Sequence, residues 1–160
     1  MWNPAQDEWK LMDQWCDGAC GAGAPMMKEW LRFEKRCIKG KPWKSYQADT
    51  RKFFTAGDIL KGYQIFQKAL EATKDDPRAH AQVRRLYVSI GAMMLTRYNF
   101  DIEKKTHISR VKIPTRDELI QYLEDAFREF RCDMKDTNGY CEGASRERFL
   151  EKIRMGERLK

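Results

Sequence analysis

Carboxylates are the most plentiful reactive side chains in this 160-residue chain, which has 24 aspartates and glutamates but only two histidines. Two carboxyl groups, one protonated and one ionised, could hydrolyse a glycosidic bond held between them. Asp75 and Asp76 precede Pro77 at a predicted helix junction, where capping of the next helix is the favoured role. The other acidic pairs fall at predicted helix starts or on polar faces: Asp7 with Glu8, Asp117 with Glu118, and Glu124 with Asp125. No catalytic pair is predicted.

Nucleophilic catalysis has equally little support in the sequence. An activated serine or cysteine needs a base beside it, and His80 and His107 are the two imidazoles available. His80 is expected near the start of a helix as a surface or interhelical polar residue, and His107 falls in a basic connection. The glycines that follow Gly18 lack the dinucleotide-binding spacing and come after a helix, where a cofactor loop would follow a strand. We expect no cofactor, and this chain alone is not expected to be an enzyme.

The five cysteines match none of the paired spacings of zinc sites, so no metal site is expected. Cys132 and Cys141 flank a turn-like segment, and they form either a disulfide in an oxidising compartment or two free thiols. For Cys16 and Cys20, one partly buried thiol and one turn residue are favoured over a bridge.

Aromatic rings could stack on sugar rings if a groove exposed them. Trp43 is the best placed for this, because it lies in a loop beside Pro42 and Tyr46. Packing inside the core or between domains remains the favoured role of Trp43. Trp15 and Trp30 are expected on packing faces.

The formal net charge of +7 could attract nucleic acid or an anionic sugar. The basic residues are interleaved with acids along the chain, which favours a solvated helical surface. An alternative function is nevertheless a self-contained basic helical protein that binds nucleic acid or regulates another molecule. Its expected contacts are Arg78, Arg84, Arg85, Lys104 and Lys105.

Apolar residues recur at helical spacing in nearly every segment, and no strict alternation persists for the length of a strand. The sequence therefore predicts an all-α fold, an irregular antiparallel bundle of about five to six helices in one domain spanning residues 1–160. No segment is apolar enough to span a membrane.

The predicted helices are bounded by proline, glycine and capping residues. The first runs from about Pro4 to a break at Gly18 to Gly23, and the second from near Pro25 to Gly40. The third is capped by Thr55, and the fourth runs from about Arg78 to near Tyr98. Residues 100–114 are expected to form a long connection or a short extended piece. Thr115 and Glu118 have the spacing of a capping box for a fifth helix, and Ser145 caps a final one.

The first 25 residues resemble a junction in a known family. Trp2-Asn3-Pro4, Asp7, and a helix followed by Gly18, Gly21 and Ala24-Pro25 are similar to the link after the barrel in a domain-of-unknown-function family of secreted bacterial glycoside-hydrolase-like proteins. Trp15 stands where that family has phenylalanine. Ala19 and Cys20 replace two tyrosines, so any contact those tyrosines make in relatives is missing here. A looser similarity continues to about residue 100.

The resemblance implies a noncatalytic helical accessory domain of a carbohydrate-active protein, from the C-terminal side of a larger multidomain chain. Residues 1–24 would form the interdomain junction, where Trp2 and Trp9 would pack on the preceding barrel, the implied partner. Carbohydrate is a second implied partner, and the implied location is periplasmic or secreted. The chain itself begins without a recognisable signal peptide.

Overall fold

The computed structural model describes residues 7–41, 52–129 and 151, and all regular secondary structure within these ranges is helical. The predicted all-α class is therefore confirmed. The α-helices are α1 (Glu8–Cys20), α2 (Ala24–Ile38), α3 (Ala56–Ala72), α4 (Pro77–Arg97), α5 (Glu103–Ser109) and α6 (Arg116–Glu129). A 3₁₀ turn, Gly21–Gly23, joins α1 to α2, and a π-helical turn, Tyr98–Ile102, joins α4 to α5.

The chain divides into two compact units, Met1–Tyr87 and Val88–Lys160, and the division falls inside α4. In the first unit α1 packs on α2, and α2 packs on α3. An aromatic cluster forms the centre of this core. Trp30, Phe54, Phe66 and Tyr87 are all buried, and the ring of Phe66 lies 5.8 Å from that of Trp30 and 5.7 Å from that of Tyr87.

A capping box starts α3, as its spacing predicts. The Thr55 backbone N–H and hydroxyl both donate to Asp58 Oδ2, at 2.8 and 2.7 Å, and the Asp58 N–H donates to Thr55 Oγ1 at 3.1 Å. These bonds satisfy backbone groups that the first helical turn would otherwise leave without partners. The box thereby fixes where α3 begins.

Replacing Thr55 with alanine is expected to destabilise the protein by about 1 kcal/mol, because the cap on the Asp58 N–H is lost. Urea denaturation followed by circular dichroism measures the change. Thr55→Ser keeps the hydroxyl and serves as the matched control. If the serine variant lost as much stability as the alanine variant, the cap would not be the cause.

The second unit has a core between the later part of α4 and α6. Ile90, Met94, Leu119 and Leu123 are all buried. The helices approach closely at Gly91, where an added Cβ would lie 3.4 Å from Leu123 Cδ2. A capping box starts α6: the Thr115 N–H donates to Glu118 Oε2 at 2.7 Å, and the Glu118 N–H donates to Thr115 Oγ1 at 3.2 Å. The predicted capping pair of the fifth helix is thus confirmed.

Some predicted boundaries are wrong. Gly18 lies within α1, which continues to Cys20, and the turn falls at Gly21–Gly23. α2 ends at Ile38, before the predicted Gly40. An added Cβ at Gly18 would meet nothing within 4 Å, so no close contact requires glycine at this position. Glycine within a helix has only a modest entropic cost, and α1 continues through it.

The predicted connection at 100–114 is also wrong in its first half. The chain stays helical through the π turn and α5 as far as Ser109, and the non-helical segment before α6 covers only residues 110–115. Within the described residues α5 is a helix that was not predicted, so the predicted series of helices is slightly off. Of the predicted final helix from Ser145, the structure describes only Glu151, which is helical.

Candidate functional site

The glycine turn between α1 and α2 is held tightly against the α3–α4 corner. Gly21 has a φ of 48°, the left-handed region that glycine adopts without strain. An added Cβ there would lie 3.2 Å from Ala79 Cβ, and one on Gly23 would lie 3.0 Å from Thr73 Cγ2. A side chain at either position would therefore crowd the α3–α4 corner, and its neighbours would have to shift by a few tenths of an ångström.

The predicted junction residues that the structure describes lie at the start and near the end of α1, in the turn after it and at the start of α2. Asp7 is the N-cap of α1 and accepts hydrogen bonds from the backbone N–H groups of Trp9 and Lys10. Pro25 is exposed in the first turn of α2. Trp2, Asn3 and Pro4 lie outside the described residues.

One flank of α1 is joined to α2 by charge. Three ion pairs connect the antiparallel helices, each with a nitrogen-to-oxygen distance between 2.6 and 3.1 Å. The pairs are Asp17 with Lys28, Asp13 with Arg32, and Glu8 with Lys35. The hydrogen bond from Arg32 lowers the pKa of Asp13 and raises that of Arg32 itself. This flank of α1 is therefore already occupied by the protein's own side chains.

Trp9 belongs to the same α1–α2 contact. Lys35 Nζ lies 4.6 Å from the centre of its ring, and the guanidinium carbon of Arg32 lies 5.2 Å from it. Cations at this distance are attracted to the negative face of an indole. The half-buried Trp9 ring thus contacts α2. Only the exposed part of the ring remains for the predicted contact with a preceding domain.

Another side of α1 exposes two large apolar side chains. Leu11 is 44% exposed and Trp15 is 43% exposed, and a spacing of four residues puts them on one side of the helix. Half-buried Met12 and Ala19 connect this side to the buried Cys16 and Cys20. The first unit therefore covers only part of the apolar side of α1. We call Leu11 and Trp15 the outer face of α1.

Trp15, which was predicted on a packing face, is 43% exposed, so its own unit covers it only in part. A helical apolar pattern shows which side of a helix is apolar, but it does not show how much of that side its own domain covers. The matching prediction for Trp30 is confirmed, since that ring is 5% exposed.

Asp76 and His80 of the first unit have structural roles. Asp76 Oδ1 accepts from the backbone N–H groups of Arg78 and Ala79, at 3.1 and 3.0 Å, and so caps α4 as predicted. His80 Nδ1 lies 3.3 Å from the Thr73 hydroxyl, which itself donates to the Ala69 carbonyl at 2.8 Å. His80 is thus an interhelical polar residue.

Burial makes the thiols of α1 poor nucleophiles. Cys16 and Cys20 are both fully buried, so the prediction of one turn residue and one partly buried thiol is wrong. Burial, with a smaller contribution from Cys16, raises the pKa of Cys20 to about 11. A reactive thiol requires the opposite shift, toward the thiolate. Cys37 is half-buried, and Cys132 and Cys141 lie outside the described residues.

Alkylation of the native protein with iodoacetamide at neutral pH is expected to modify Cys37 at least about tenfold faster than Cys16 or Cys20, since exposure and thiolate fraction control the rate. Peptide mass spectrometry after brief labelling measures the order. Labelling of unfolded protein in urea is the control, and it should bring the three rates together. Faster labelling of Cys20 than of Cys37 in the native protein would contradict the buried packing of α1.

The residues of the nucleic-acid alternative are divided between the two units. Arg78 and Arg85 are exposed on the part of α4 in the first unit, where Arg84 is half-buried. Lys104 and Lys105 are exposed on α5, in the second unit. His107 is exposed beside them.

One buried ion pair was not predicted from the sequence. Arg97, 6% exposed at the end of α4, donates from its guanidinium to both carboxylate oxygens of Asp101 in the π turn. The spacing of four residues would have allowed this pairing to be proposed, but only the burial makes it important. The exposed Phe100 and Ile108 were also missed.

The carbohydrate-stacking candidates Trp43 and Tyr46 lie outside the described residues. Among residues that the structure does describe, no group of three or more histidine, cysteine, aspartate or glutamate side chains is arranged to hold a metal ion. None of the described helices has the length and apolar character to cross a bilayer. Comparison with protein-family models, curated proteins and solved structures finds no match for this chain.

Proposed function

We propose that this chain is a noncatalytic helical accessory domain of a carbohydrate-active, glycoside-hydrolase-like protein. Its role is to pack against the barrel domain that precedes it, through the outer face of α1. The observation that carries the proposal is the exposure of Leu11 and Trp15 on one side of the helix that follows the Trp2-Asn3-Pro4 segment. Large apolar side chains grouped in this way mark sites of association.

The rigidity of α1 supports this role. The three ion pairs to α2 and the cation contacts on Trp9 hold one flank, and the close packing at Gly21 and Gly23 holds its C-terminal end. A preformed apolar face loses little conformational entropy on association, so more of its contact energy remains as affinity. An accessory domain that buttresses its neighbour needs such a face.

The remaining parts of the hypothesis rest on the sequence. The junction at 1–24 and the extracytoplasmic location follow from the family resemblance. The single domain over residues 1–160 follows from the chain length, and a contribution of Trp43 and Tyr46 to carbohydrate binding follows from their place in a predicted loop. They stay predictions.

Reading the open reading frame upstream of Met1 is the first step of the test. If codons continue in frame into another domain, that domain is produced separately and titrated into this chain by calorimetry. Leu11→Ser combined with Trp15→Ser is expected to weaken binding at least about tenfold, since an exposed tryptophan in an interface is often a dominant contact. Ile38→Ser is the matched control, because Ile38 is 41% exposed but lies at the end of α2.

The control is expected to bind like the unchanged chain. Equal affinity of all three proteins would overturn the assignment of the outer face. A start codon at Met1 with no preceding domain would overturn the accessory-domain proposal itself. The nucleic-acid alternative would then be tested by salt-dependent binding and by substitution of Arg78 and Arg85.

A further inference from the structure

A second exposed apolar and basic surface lies in the second unit, on the π turn, α5 and the residues after it. Phe100 is 54% exposed and Ile108 is 76% exposed. Phe100, Lys104 and Ile108 follow one another at intervals of four residues, so they lie along one side of the helical segment. We call residues 100–112 the basic apolar strip.

The charged residues of the strip are mostly cationic. Lys104, Lys105, Arg110 and Lys112 are all exposed, and His107 is exposed among them. Of the two acids in the strip, Asp101 is bound to the buried Arg97 guanidinium. Glu103 is exposed in the first turn of α5. The strip therefore presents a surplus of positive charge around two large exposed hydrophobic side chains.

One buried side chain and several hydrogen bonds hold the backbone of the strip in place. Ile102 is fully buried, and the Arg97 contact to Asp101 joins the π turn to the end of α4. The Tyr98 hydroxyl donates to the Pro114 carbonyl at 3.2 Å, which ties the start of the π turn to the segment after α5. The Thr106 hydroxyl donates to the Ile102 carbonyl at 2.8 Å. Phe100 and Ile108 are consequently held on a supported surface.

We propose that the basic apolar strip is a peripheral membrane-binding surface for an anionic phospholipid bilayer. Lysine and arginine side chains near an anionic leaflet attract its headgroups, and a helix that also exposes large apolar side chains can insert them at the headgroup boundary. The strip combines the two features within residues 100–112. This inference goes beyond the proposed accessory role, and it uses none of the residues of the outer face of α1.

The aliphatic side chain of Ile108 decides between a bilayer and nucleic acid as the occupant. Single-stranded nucleic acid is bound by cationic grooves with aromatic rings on which bases stack. Phe100 has such a ring, but Ile108, the more exposed of the two apolar side chains, has none. Duplex binding through phosphate contacts gains nothing from a side chain that is 76% exposed and apolar. A bilayer uses both the lysines and the isoleucine.

The test is co-sedimentation of the full chain with vesicles. One set contains equal parts of phosphatidylglycerol and phosphatidylcholine, and the other contains phosphatidylcholine alone. We expect binding to the first set only. Lys104→Gln with Lys105→Gln should weaken it roughly 20-fold, because each lysine near an anionic surface contributes about fivefold. Ile108→Ser should weaken it roughly three- to tenfold through the loss of apolar insertion.

Lys10→Gln with Lys68→Gln is the control for total charge, since both lysines are exposed on other helices and the variant loses the same two charges. The control should bind like the unchanged chain. Circular dichroism verifies that every variant is folded. An equal loss in the control, unchanged binding in the Lys104 and Lys105 variant, or an absence of binding to the anionic vesicles would each overturn the proposal. Tighter binding to duplex DNA than to vesicles, with no effect of Ile108→Ser, would assign the strip to nucleic acid instead.

Discussion

Replacing Phe66 with alanine is expected to lower the free energy of unfolding by about 3–5 kcal/mol, one of the two largest effects in this chain. Phe66 is 1% exposed, and its ring contacts the rings of Trp30 and Tyr87. Truncation removes the apolar surface buried by the ring and leaves a cavity that neighbouring rings fill only partly. Trp30 also packs near Phe54, so the cavity would open at the centre of the aromatic cluster.

Urea denaturation at neutral pH, followed by circular dichroism, gives the free energy and its denaturant slope. Gln67→Ala is the matched control, because Gln67 is the next residue of α3 and is exposed. The control should change stability by less than about 0.5 kcal/mol. A loss below about 1 kcal/mol for Phe66→Ala would mean that the site collapses freely, which contradicts a close-packed core.

Removing one partner of the buried pair between Arg97 and Asp101 should have the second large effect. Asp101→Asn is expected to destabilise the protein by about 2–4 kcal/mol, because the buried Arg97 guanidinium would lose the carboxylate charge that it binds. The partial exposure of the Asp101 side chain, 28%, puts the estimate toward the lower end of the range for buried pairs.

A double-mutant cycle separates the pair from its surroundings. Arg97→Met alone should also destabilise the protein, while the double variant should lose about 1–3 kcal/mol less than the sum of the two. Asp125→Asn is the control, because Asp125 pairs with Arg128 at 3.3 Å on an exposed part of α6. That change should cost less than about 1 kcal/mol. A purely additive cycle at Arg97 and Asp101 would contradict their coupling.

The parts of the fold that short-range chemistry controls were predictable from sequence. Thr55 with Asp58 and Thr115 with Glu118 start helices as their spacing requires, since a capping box involves only residues three apart. Asp76 was likewise recognised as a cap. The all-α class followed from apolar periodicity alone.

Features that depend on tertiary contacts were not predictable. The β-branched run at Val111 to Ile113 suggested an extended piece, and it did not reveal that helical structure continues to Ser109. That continuation includes a π turn whose Asp101 binds Arg97, a contact whose importance depends on burial. In the same way, the pattern of α1 identified an apolar side but could not distinguish buried Cys20 from exposed Trp15.

We propose that the outer face of α1 packs on a preceding domain, and hydroxyl-radical footprinting tests this proposal most directly. Oxidation of Leu11 and Trp15 would be measured by mass spectrometry in this chain alone and in the chain joined to a preceding domain, where the open reading frame encodes one. The proposal predicts strong protection of both residues in the joined protein, with unchanged oxidation of exposed Ile38. Equal oxidation of Leu11 and Trp15 in the two proteins would contradict it.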